Sequence, residues 1–151
     1  MPKIADIFVN PISQTEMFVS WPKINGMNIS HYELYFGDQV NPKNFSNNYV
    51  LWPGLRPGSE YAFRVAYIAK DGRRSEISSF GFNKTWGKDY NNDGLPDDWQ
   101  LIYFGSERNN WPGPRQDTDG DGSTNQQEFM AGTDPSDASE KLTVELLNLE
   151  D

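Results

Sequence analysis

Apolar and polar residues alternate along three stretches of the first half of the chain. Aromatic and aliphatic side chains occupy every second position in residues 17–21, 32–36 and 61–67. A period of two predicts strands with one buried face and one exposed face. Proline and glycine turn signals separate the stretches, and no window shows the periodicity of an amphipathic helix. We therefore predict an antiparallel β-sandwich for residues 1–86.

Two short helices are predicted further along the chain, each following an acidic, glycine-rich loop. Pro96 suits the first position of the first helix, and Trp99, Ile102 and Tyr103 share one face of it. The second helix begins at residue 124 or 125 and ends at residue 131. These helices offer few apolar groups for a core. We therefore expect metal coordination to supply part of the folding free energy of this region.

The acidic residues are concentrated in the second part of the chain. Residues 1–86 contain nine Lys and Arg and seven Asp and Glu, whereas residues 87–151 contain four and fifteen. This division indicates two modules with different roles. Because nucleic-acid phosphates would be repelled, we expect no nucleic-acid partner. The acidity fits either a solvated tail or a cation site.

The window of residues 117–128 has the spacing of an EF-hand calcium loop at every required position. Calcium takes six to eight oxygen ligands, and alternate positions of a tightly curled loop point inward. Gly122 allows the sharp bend that such a loop needs. The predicted ligands are the carboxylates of Asp117, Asp119 and Asp121, the carbonyl of Ser123, Asn125 directly or through water, and both carboxylate oxygens of Glu128. Four carboxylates this close repel one another without a cation, so we favour a metal site over a plain acidic loop.

A second window, residues 89–100, follows the same pattern less completely. Its predicted ligands are Asp89, Asn91, Asp93, the carbonyl of Leu95, Asp97 and Gln100. Gln100 stands where Glu or Asp normally closes the site, and its amide offers one oxygen. We therefore expect weaker binding here, with Asp98 or water making up the missing ligand. Two Ca²⁺ ions are expected in all, the loop of residues 117–128 being the stronger site.

Residues 55–65, LRPGSEYAFRV, resemble the signature of fibronectin type III domains. In that family a Leu, a Pro-Gly turn and a Tyr lead into a long alternating strand. The resemblance implies that Tyr61 is a corner tyrosine whose hydroxyl bonds to nearby backbone, and that Trp21 is the buried tryptophan of an early strand. The predicted fold class is mainly β: an N-terminal fibronectin-type-III-like sandwich plus a small α-helical calcium-loop module. Such a sandwich serves many functions.

Residues 93–99, 125–129 and 132–135 resemble the dockerin and thrombospondin type 3 modules of large secreted bacterial proteins. The EF-hand-like loop–helix units of those modules lack the entering helix. The resemblance implies a calcium-binding module over residues 87–140 that is secreted or displayed at the cell surface. Its partner would be the neighbouring domains of a longer chain or a cohesin-like protein. Gln100 and the 28-residue offset between the loop starts depart from true dockerins.

Other features bear on function more weakly. Asp134 and Asp137 either add ligands or form a turn that ends the helix. His31 is the only histidine, and no nucleophile–base or acid–base constellation accompanies it, so we expect no enzyme activity. No apolar stretch approaches the roughly 20 residues of a membrane helix, and no membrane insertion is expected.

The two ends of the chain carry further expectations. The N-terminus lacks the apolar region of a signal peptide, so an export signal has been removed or the chain is cut from a longer protein. Residues 141–151 alternate like a strand and are predicted to be a linker or the first strand of a following domain. The main hypothesis is a non-catalytic, calcium-rigidified spacer. The alternatives are a dockerin-like recruitment module and an accessory region of a secreted polysaccharide-degrading enzyme.

Overall fold

The chain divides into two compact units, Met1–Thr85 and Trp86–Asp151. The computed structural model describes residues 1–140. The linker or strand predicted for residues 141–151 lies outside the described residues. Within residues 1–140, neither α-helix has the length and apolarity needed to cross a membrane.

The first unit is a sandwich of two antiparallel sheets. Its strands in chain order are β1 (Phe8–Pro11), β2 (Met17–Ser20), β3 (Ile29–Phe36), β4 (Lys43–Phe45), β5 (Tyr49–Trp52), β6 (Glu60–Ala69) and β7 (Gly81–Lys84). One sheet has the order β1-β2-β5 and the other β4-β3-β6-β7. The mainly β fold predicted from the alternation is confirmed, and two short helices follow it in the second unit.

The strand registers bring the alternating residues into one core. Leu34 in β3 pairs with Val65 in β6, and Tyr32 pairs with Tyr67 two residues further along. The period of two is therefore the pleat of each strand, with every second side chain directed between the sheets. The buried core consists of Ile4, Val9, Met17, Val19, Trp21, Tyr32, Leu34, Leu55, Phe63, Val65 and Tyr67.

Two residues singled out by the family resemblance lie where it implied. The Tyr61 hydroxyl accepts a hydrogen bond from the Arg56 backbone N–H at 3.0 Å, which fixes the corner before β6. Trp21 follows β2 and is buried, with its ring centroid 5.5 Å from that of Tyr32 in an edge-on arrangement. Both expectations are confirmed.

The second unit is built on two short helices, α1 (Asp97–Phe104) and α2 (Asn125–Ala131), with a 3₁₀ turn at Arg108–Asn110 between them. Its buried hydrophobic cluster among the described residues consists of Leu95, Trp99 and Phe129, against which Trp86, Tyr103 and Phe104 pack. The rings of Trp99 and Phe129 meet edge-on with centroids 5.4 Å apart. This core is small, as the sequence predicted.

The ends of α2 follow from residue types at its boundaries. Thr124 is its N-cap, and Thr124 and Gln127 form a capping box in which each side chain binds the backbone N–H of the other. Gly132 ends the helix with φ of 77°, a left-handed conformation that glycine adopts without a Cβ penalty. The predicted bounds of α2 are therefore confirmed.

The face assigned to α1 is partly wrong. Ile102 is 64% exposed, whereas Phe104 packs edge-on against Trp99. Gln100 is fully buried, so the inward face of α1 consists of Trp99, Gln100, Tyr103 and Phe104. Successive helical residues are about 100° apart, which turns Ile102 outward. The polar Gln100 was therefore the missing member of the buried face.

Candidate metal centre

The loop of residues 117–128 is curled by hydrogen bonds from its own backbone to its carboxylates. Asp117 Oδ2 accepts the N–H of Gly122 at 2.8 Å, and Asp117 Oδ1 accepts the N–H of Gly120 at 2.9 Å. Asp121 Oδ1 accepts the N–H of Ser123 at 2.8 Å. Gly122 has φ of 96°, which a residue with a side chain rarely adopts. These bonds set the tight curve that directs alternate side chains inward.

Three carboxylates converge inside this loop. Asp117, Asp119 and Asp121 each offer an oxygen within 4.8 Å of the others. Glu128 comes from the first turn of α2 and is 1% exposed. Neither Asp119 Oδ2 nor Glu128 Oε1 has a hydrogen-bond partner among the described residues, although both atoms are buried. Buried acceptor oxygens without a donor are costly, and a cation or a proton is what satisfies them.

Burial, together with the mutual repulsion of these carboxylates, raises the pKa values of Glu128 and Asp119. Burial, the contact with Asp121, and the charges of Asp121, Asp119 and Asp117 raise the pKa of Glu128 from 4.5 to about 7. Burial, with the Asp121 charge, also raises the pKa of Asp119. Without a cation the Glu128 carboxylate therefore competes for a proton near neutral pH.

Glu128 is held by a residue beyond the end of its helix. The Thr133 hydroxyl donates a hydrogen bond to Glu128 Oε2, and the Thr133 N–H donates to the Glu128 carbonyl at 3.0 Å. Thr133 is buried, and the left-handed turn at Gly132 brings it back against the helix. One oxygen of Glu128 is thus fixed by the protein itself.

Two predicted ligands of this loop need separate description. The Ser123 N–H binds Asp121, while its carbonyl was the predicted ligand. Asn125 is fully buried, with Oδ1 accepting from the Thr118 hydroxyl at 2.8 Å and Nδ2 donating to the Gly113 carbonyl at 2.9 Å. Both polar ends of the Asn125 amide are therefore engaged by protein, and the side chain ties the start of α2 to the loop.

The loop of residues 89–100 has the same backbone arrangement. Asp89 Oδ2 accepts the Gly94 N–H at 2.8 Å, and Asp93 Oδ1 accepts the Leu95 N–H at 2.9 Å. Asn91 Oδ1 accepts the Asp93 N–H at 3.3 Å. Each of these bonds has a counterpart at the same position of the loop of residues 117–128. The two windows are therefore structural repeats. In chain order, residues 89–100 are called the first loop and residues 117–128 the second loop.

The first loop differs at its closing residue. Gln100 is fully buried, and its Nε2 donates to Asp93 Oδ2 at 2.6 Å. Asn91 Nδ2 donates to the same oxygen at 3.2 Å. Gln100 Oε1 is buried without a hydrogen-bond partner among the described residues. In residues 1–140, only the second loop gathers three acidic groups close enough to hold an ion together.

Asp97, the predicted ninth-position ligand of the first loop, is buried and paired with protein groups. Its Oδ1 accepts the Tyr90 N–H at 3.2 Å, and its Oδ2 accepts from Arg108 Nη1 at 2.8 Å. Its N–H donates to the Lys88 carbonyl at 3.1 Å. Asn125 makes the equivalent backbone bond to Gln116 in the second loop. The ninth position thus anchors the loop to its helix in both repeats.

The remaining acidic candidates are engaged locally. Asp98 Oδ2 accepts the Gly87 N–H at 2.7 Å. Asp134 accepts from the N–H and hydroxyl of Ser136, and Asp137 does the same with Ser139. The bonds from Ser139 lower the pKa of Asp137. These contacts match the alternative in which Asp134 and Asp137 form turns after the helix.

Three residues that orient the others were not predicted from the sequence. Thr133, Thr118 and Arg108 each bind the side chain of a loop residue, yet none belongs to the EF-hand spacing. The signal for Thr133 was its place directly after Gly132, because a glycine C-cap turns the next residue back along the helix. Arg108 carried no such signal, because its distance from Asp97 depends on the turn between the helices.

Comparisons with known proteins concern the first unit. The family model for the fibronectin type III domain matches residues 2–80. Among curated protein sequences, none matches the chain.

Three solved structures illustrate the structural likeness. A fibronectin type III domain of human fibronectin type III domain containing protein 3 is 20% identical, with a TM-score of 0.49, over 61% of this chain and 92% of that chain. Chitinase ChiA74 from Bacillus thuringiensis is 19% identical, with a TM-score of 0.47, over 55% of this chain and 13% of that chain. The chicken CNTN1 FN1–FN3 domains are 19% identical, with a TM-score of 0.48, over 58% of this chain and 32% of that chain.

Proposed function

The chain belongs to the fibronectin type III family, and we propose that its second unit is a non-catalytic calcium-binding module. Calcium binds in the loop of residues 117–128 and makes this unit rigid. The protein then acts as a structural spacer in a larger extracellular, multidomain protein, with neighbouring domains as its partners. Fibronectin type III domains occur within larger multidomain chains, which supports this assignment.

The observation that carries the proposal is the pair of buried oxygens at the centre of the loop. Asp119 Oδ2 and Glu128 Oε1 accept no hydrogen bond from the described residues, and they lie in a cluster with Asp117 and Asp121. A proton can satisfy one such oxygen, whereas a divalent cation satisfies all of them at once. The cluster is therefore more fully satisfied by a metal ion than by protonation.

The chemistry of the donors favours calcium among the metals. The donor set is entirely oxygen, since the chain has no cysteine and its only histidine, His31, is in the first unit. Hard oxygen ligands suit Ca²⁺ and Mg²⁺, and flexible sites of six to eight oxygens favour Ca²⁺. For an extracellular module we expect a dissociation constant of about 10⁻⁴ to 10⁻³ M.

A second calcium ion in the loop of residues 89–100 is the weaker part of the proposal. The loop has the same curvature, but Gln100 brings no charge and donates its Nε2 hydrogen to Asp93. To bind an ion, the amide must turn over so that Oε1 faces the loop. That exchange sacrifices a 2.6 Å hydrogen bond, so we propose weaker binding here than in the second loop.

The structural role follows from how little the second unit buries. Its buried hydrophobic cluster among residues 86–140 consists of Leu95, Trp99 and Phe129, and Pro96 and Pro135 are buried as well. Small domains with so little core usually need a metal or a similar constraint to fold. Because Leu95 and Phe129 lie on or beside the loop–helix units, an ion that fixes the loops also fixes this core.

The absence of catalysis is supported by the surroundings of the single histidine. His31 Nδ1 is hydrogen-bonded to the hydroxyl of the adjacent Ser30 at 2.9 Å, but its Nε2 lies 3.9 Å from Glu33 Oε2, beyond hydrogen-bond length, so no carboxylate completes a triad. Glu33 forms two hydrogen bonds with Arg74, at 2.9 and 3.0 Å. A carboxylate already paired with a guanidinium does not orient a catalytic base as in a triad.

Calorimetric titration of the chelator-treated full chain with Ca²⁺ tests the proposal. We expect saturable heat with at least one site in the native chain, because the carboxylate cluster exchanges mutual repulsion for coordination. Asp121→Ala should abolish the strongest site, whereas Asp137→Ala, outside the cluster, should leave it unchanged. Flat heats for the native chain, or an unaffected Asp121→Ala, would refute the assignment.

A second candidate function is recruitment of a partner by the two helices. Ile102 and Met130 are 64% and 69% exposed, and Leu101 is 38% exposed. Exposed apolar side chains on calcium-ordered helices suit a dockerin-like contact with a cohesin-like protein. A pull-down with the native chain and with Ile102→Asp, each with calcium and with chelator, distinguishes this function from a spacer. A spacer yields no partner whose capture depends on both calcium and Ile102.

A further inference from the structure

Thr133 occupies a buried position directly behind the proposed calcium site. Helix α2 ends at Gly132, whose positive φ of 77° reverses the chain. The Thr133 N–H then binds the Glu128 carbonyl at 3.0 Å, and its hydroxyl binds Glu128 Oε2. Thr133 therefore donates hydrogen bonds to both the backbone and the side chain of Glu128.

The two oxygens of Glu128 have different surroundings as a result. Oε2 receives the Thr133 hydroxyl, whereas Oε1 is buried and receives no hydrogen bond from the described residues. The side chain is 1% exposed, and it contacts Asp121 in the cluster. A hydrogen bond to one carboxylate oxygen fixes the rotation of the whole group, so it also fixes where the other oxygen points.

We propose that Thr133 is a positioning residue, which holds Oε2 of Glu128 so that Oε1 is presented to the Asp117–Asp119–Asp121 cluster. The inference rests on the proposed calcium site and adds to it a residue outside the EF-hand spacing. Thr133 does not touch the ion. It acts by reducing the freedom that Glu128 loses when the ion binds.

The first loop has no residue that holds its closing side chain as Thr133 holds Glu128. The position five residues after Gln100 is Gly105, just as Thr133 is five residues after Glu128. Gly105 has no side chain to donate a hydrogen bond, and Gln100 is held instead through Asp93. Ser106, directly after Gly105, is exposed, and Gln100 Oε1 accepts no hydrogen bond among the described residues. The first loop therefore has neither a closing carboxylate nor a hydroxyl that binds its closing residue.

Calcium titration of three full-length variants tests this inference. Thr133→Val removes the hydroxyl at nearly constant shape, Thr133→Ser keeps the hydroxyl, and Glu128→Gln removes the ligand itself. Loss of a residue that orients a metal ligand typically weakens binding about 10- to 100-fold. We expect that loss in Thr133→Val, a change below about threefold in Thr133→Ser, and a larger loss in Glu128→Gln.

Folding of each Thr133 variant is checked separately from its calcium affinity. Near-UV circular dichroism at saturating calcium establishes that each variant folds. If Thr133→Val does not fold, Thr133→Ala removes the same hydroxyl without the crowding. If that variant also needs calcium to fold, the calcium concentration at half-folding replaces the dissociation constant as the readout.

The possible outcomes separate the inference from the proposed function. Equal affinity of Thr133→Val and the native chain overturns the inference and leaves the calcium site standing, as does an equal loss in Thr133→Ser and Thr133→Val. A native chain that binds no calcium contradicts the proposed function, and the inference fails with it. Selective rescue by Thr133→Ser supports both.

Discussion

The two acidic loops of the second unit share a backbone and differ in the residue that closes them. Asp89 binds the Gly94 N–H and Asp117 binds the Gly122 N–H, each at 2.8 Å. Gln100 closes the first loop with a hydrogen bond to Asp93, whereas Glu128 closes the second with a carboxylate.

The curl of such a loop is therefore not sufficient to form a metal site. The curl arises from aspartates that accept backbone N–H groups, and both loops have it. The loops differ at the twelfth residue. Glu128 adds a negative charge to the centre of its loop, whereas Gln100 donates a hydrogen bond to an oxygen of Asp93. In the first loop Asp93 Oδ2 accepts from Gln100, which leaves one neutral amide oxygen, Gln100 Oε1, buried without a partner among the described residues. The second loop keeps carboxylate oxygens in that state, Asp119 Oδ2 and Glu128 Oε1 among them, which a cation or a proton satisfies.

The largest expected effect comes from making the second loop resemble the first. Glu128→Gln removes one charge and one ligand oxygen, and its amide Nε2 can donate to Asp121 as that of Gln100 donates to Asp93. We expect calcium affinity at this loop to fall about 100-fold or more, roughly 2.7 kcal/mol. Isothermal titration calorimetry measures the change, and Glu140→Gln, outside the loop, is the control. Retention of native affinity would show that the closing charge does not decide binding.

The reverse exchange is expected to have a smaller effect. Gln100→Glu gives the first loop its missing carboxylate, but Gly105 provides no hydroxyl to orient it. We expect this loop to gain about tenfold in affinity, roughly 1.4 kcal/mol, and a second site to become measurable. The stoichiometry in the same titration reports the gain. Gln39→Glu, which adds a charge at an exposed position of the first unit, serves as control, and equal gains from both variants would contradict the comparison.

Calcium affinity should depend on pH at the second loop, which Glu128 closes, more than at the first loop, which Gln100 closes, and this effect is of moderate size. The folded, calcium-free protein has a Glu128 pKa of about 7, raised above its usual 4.5. This group therefore stabilises the calcium-free fold below pH 4.5, and that contribution is lost as the pH rises through 7. Calcium needs the ionised form, so affinity at the second loop should fall about fourfold from pH 8 to pH 6.5.

Glu128→Gln provides the control for this pH effect, because glutamine does not titrate. The residual calcium affinity of that variant should therefore fall by less than that of the native chain between pH 8 and pH 6.5. A native chain whose calcium affinity is constant between pH 8 and pH 6.5 would show that Glu128 is not the group that the proton and the ion share.

The smallest expected effect concerns the eighth position of the loops. Thr124 caps α2 through its side chain, whereas Pro96, at the same position of the first loop, caps α1 with no side-chain hydrogen bond. Thr124→Ala should lower the free energy of unfolding of the second unit by about 1 kcal/mol. Thr124→Ser, which keeps the capping hydroxyl, should lower it by less. Thermal unfolding in saturating calcium checks both, and equal losses would contradict the assigned capping roles.

Much of the fold could be predicted because its local signals agree with its tertiary contacts. The alternation at Tyr32 and Leu34, and at Phe63 and Val65, is the pleat of two strands that pair in register. The exception was Ile102, which has the right spacing for the apolar face of α1. It is exposed because the buried Gln100 faces inward, and a polar residue at a core position escapes a search for apolar periodicity.

The candidate site could be predicted only where residue spacing determines geometry. The convergence of Asp117, Asp119 and Asp121 follows from their alternation on a loop that glycine allows to curl. The engaged amide of Asn125 and the pairing of Asp97 with Arg108 depend on contacts between segments, which spacing does not encode. The ligand assignments in both loops stay predictions that await a measurement with the ion.

The most direct test of the central claim is a calcium titration of the chelator-treated, ¹⁵N-labelled full chain followed by amide NMR. We predict that the Gly120 and Gly122 amides shift first, because their N–H groups bind Asp117, a ligand of the proposed ion. Amides of the sandwich core, such as Val65, should not move. Shifts of Gly94 before Gly122, or no shifts in either loop at millimolar calcium, would contradict the account.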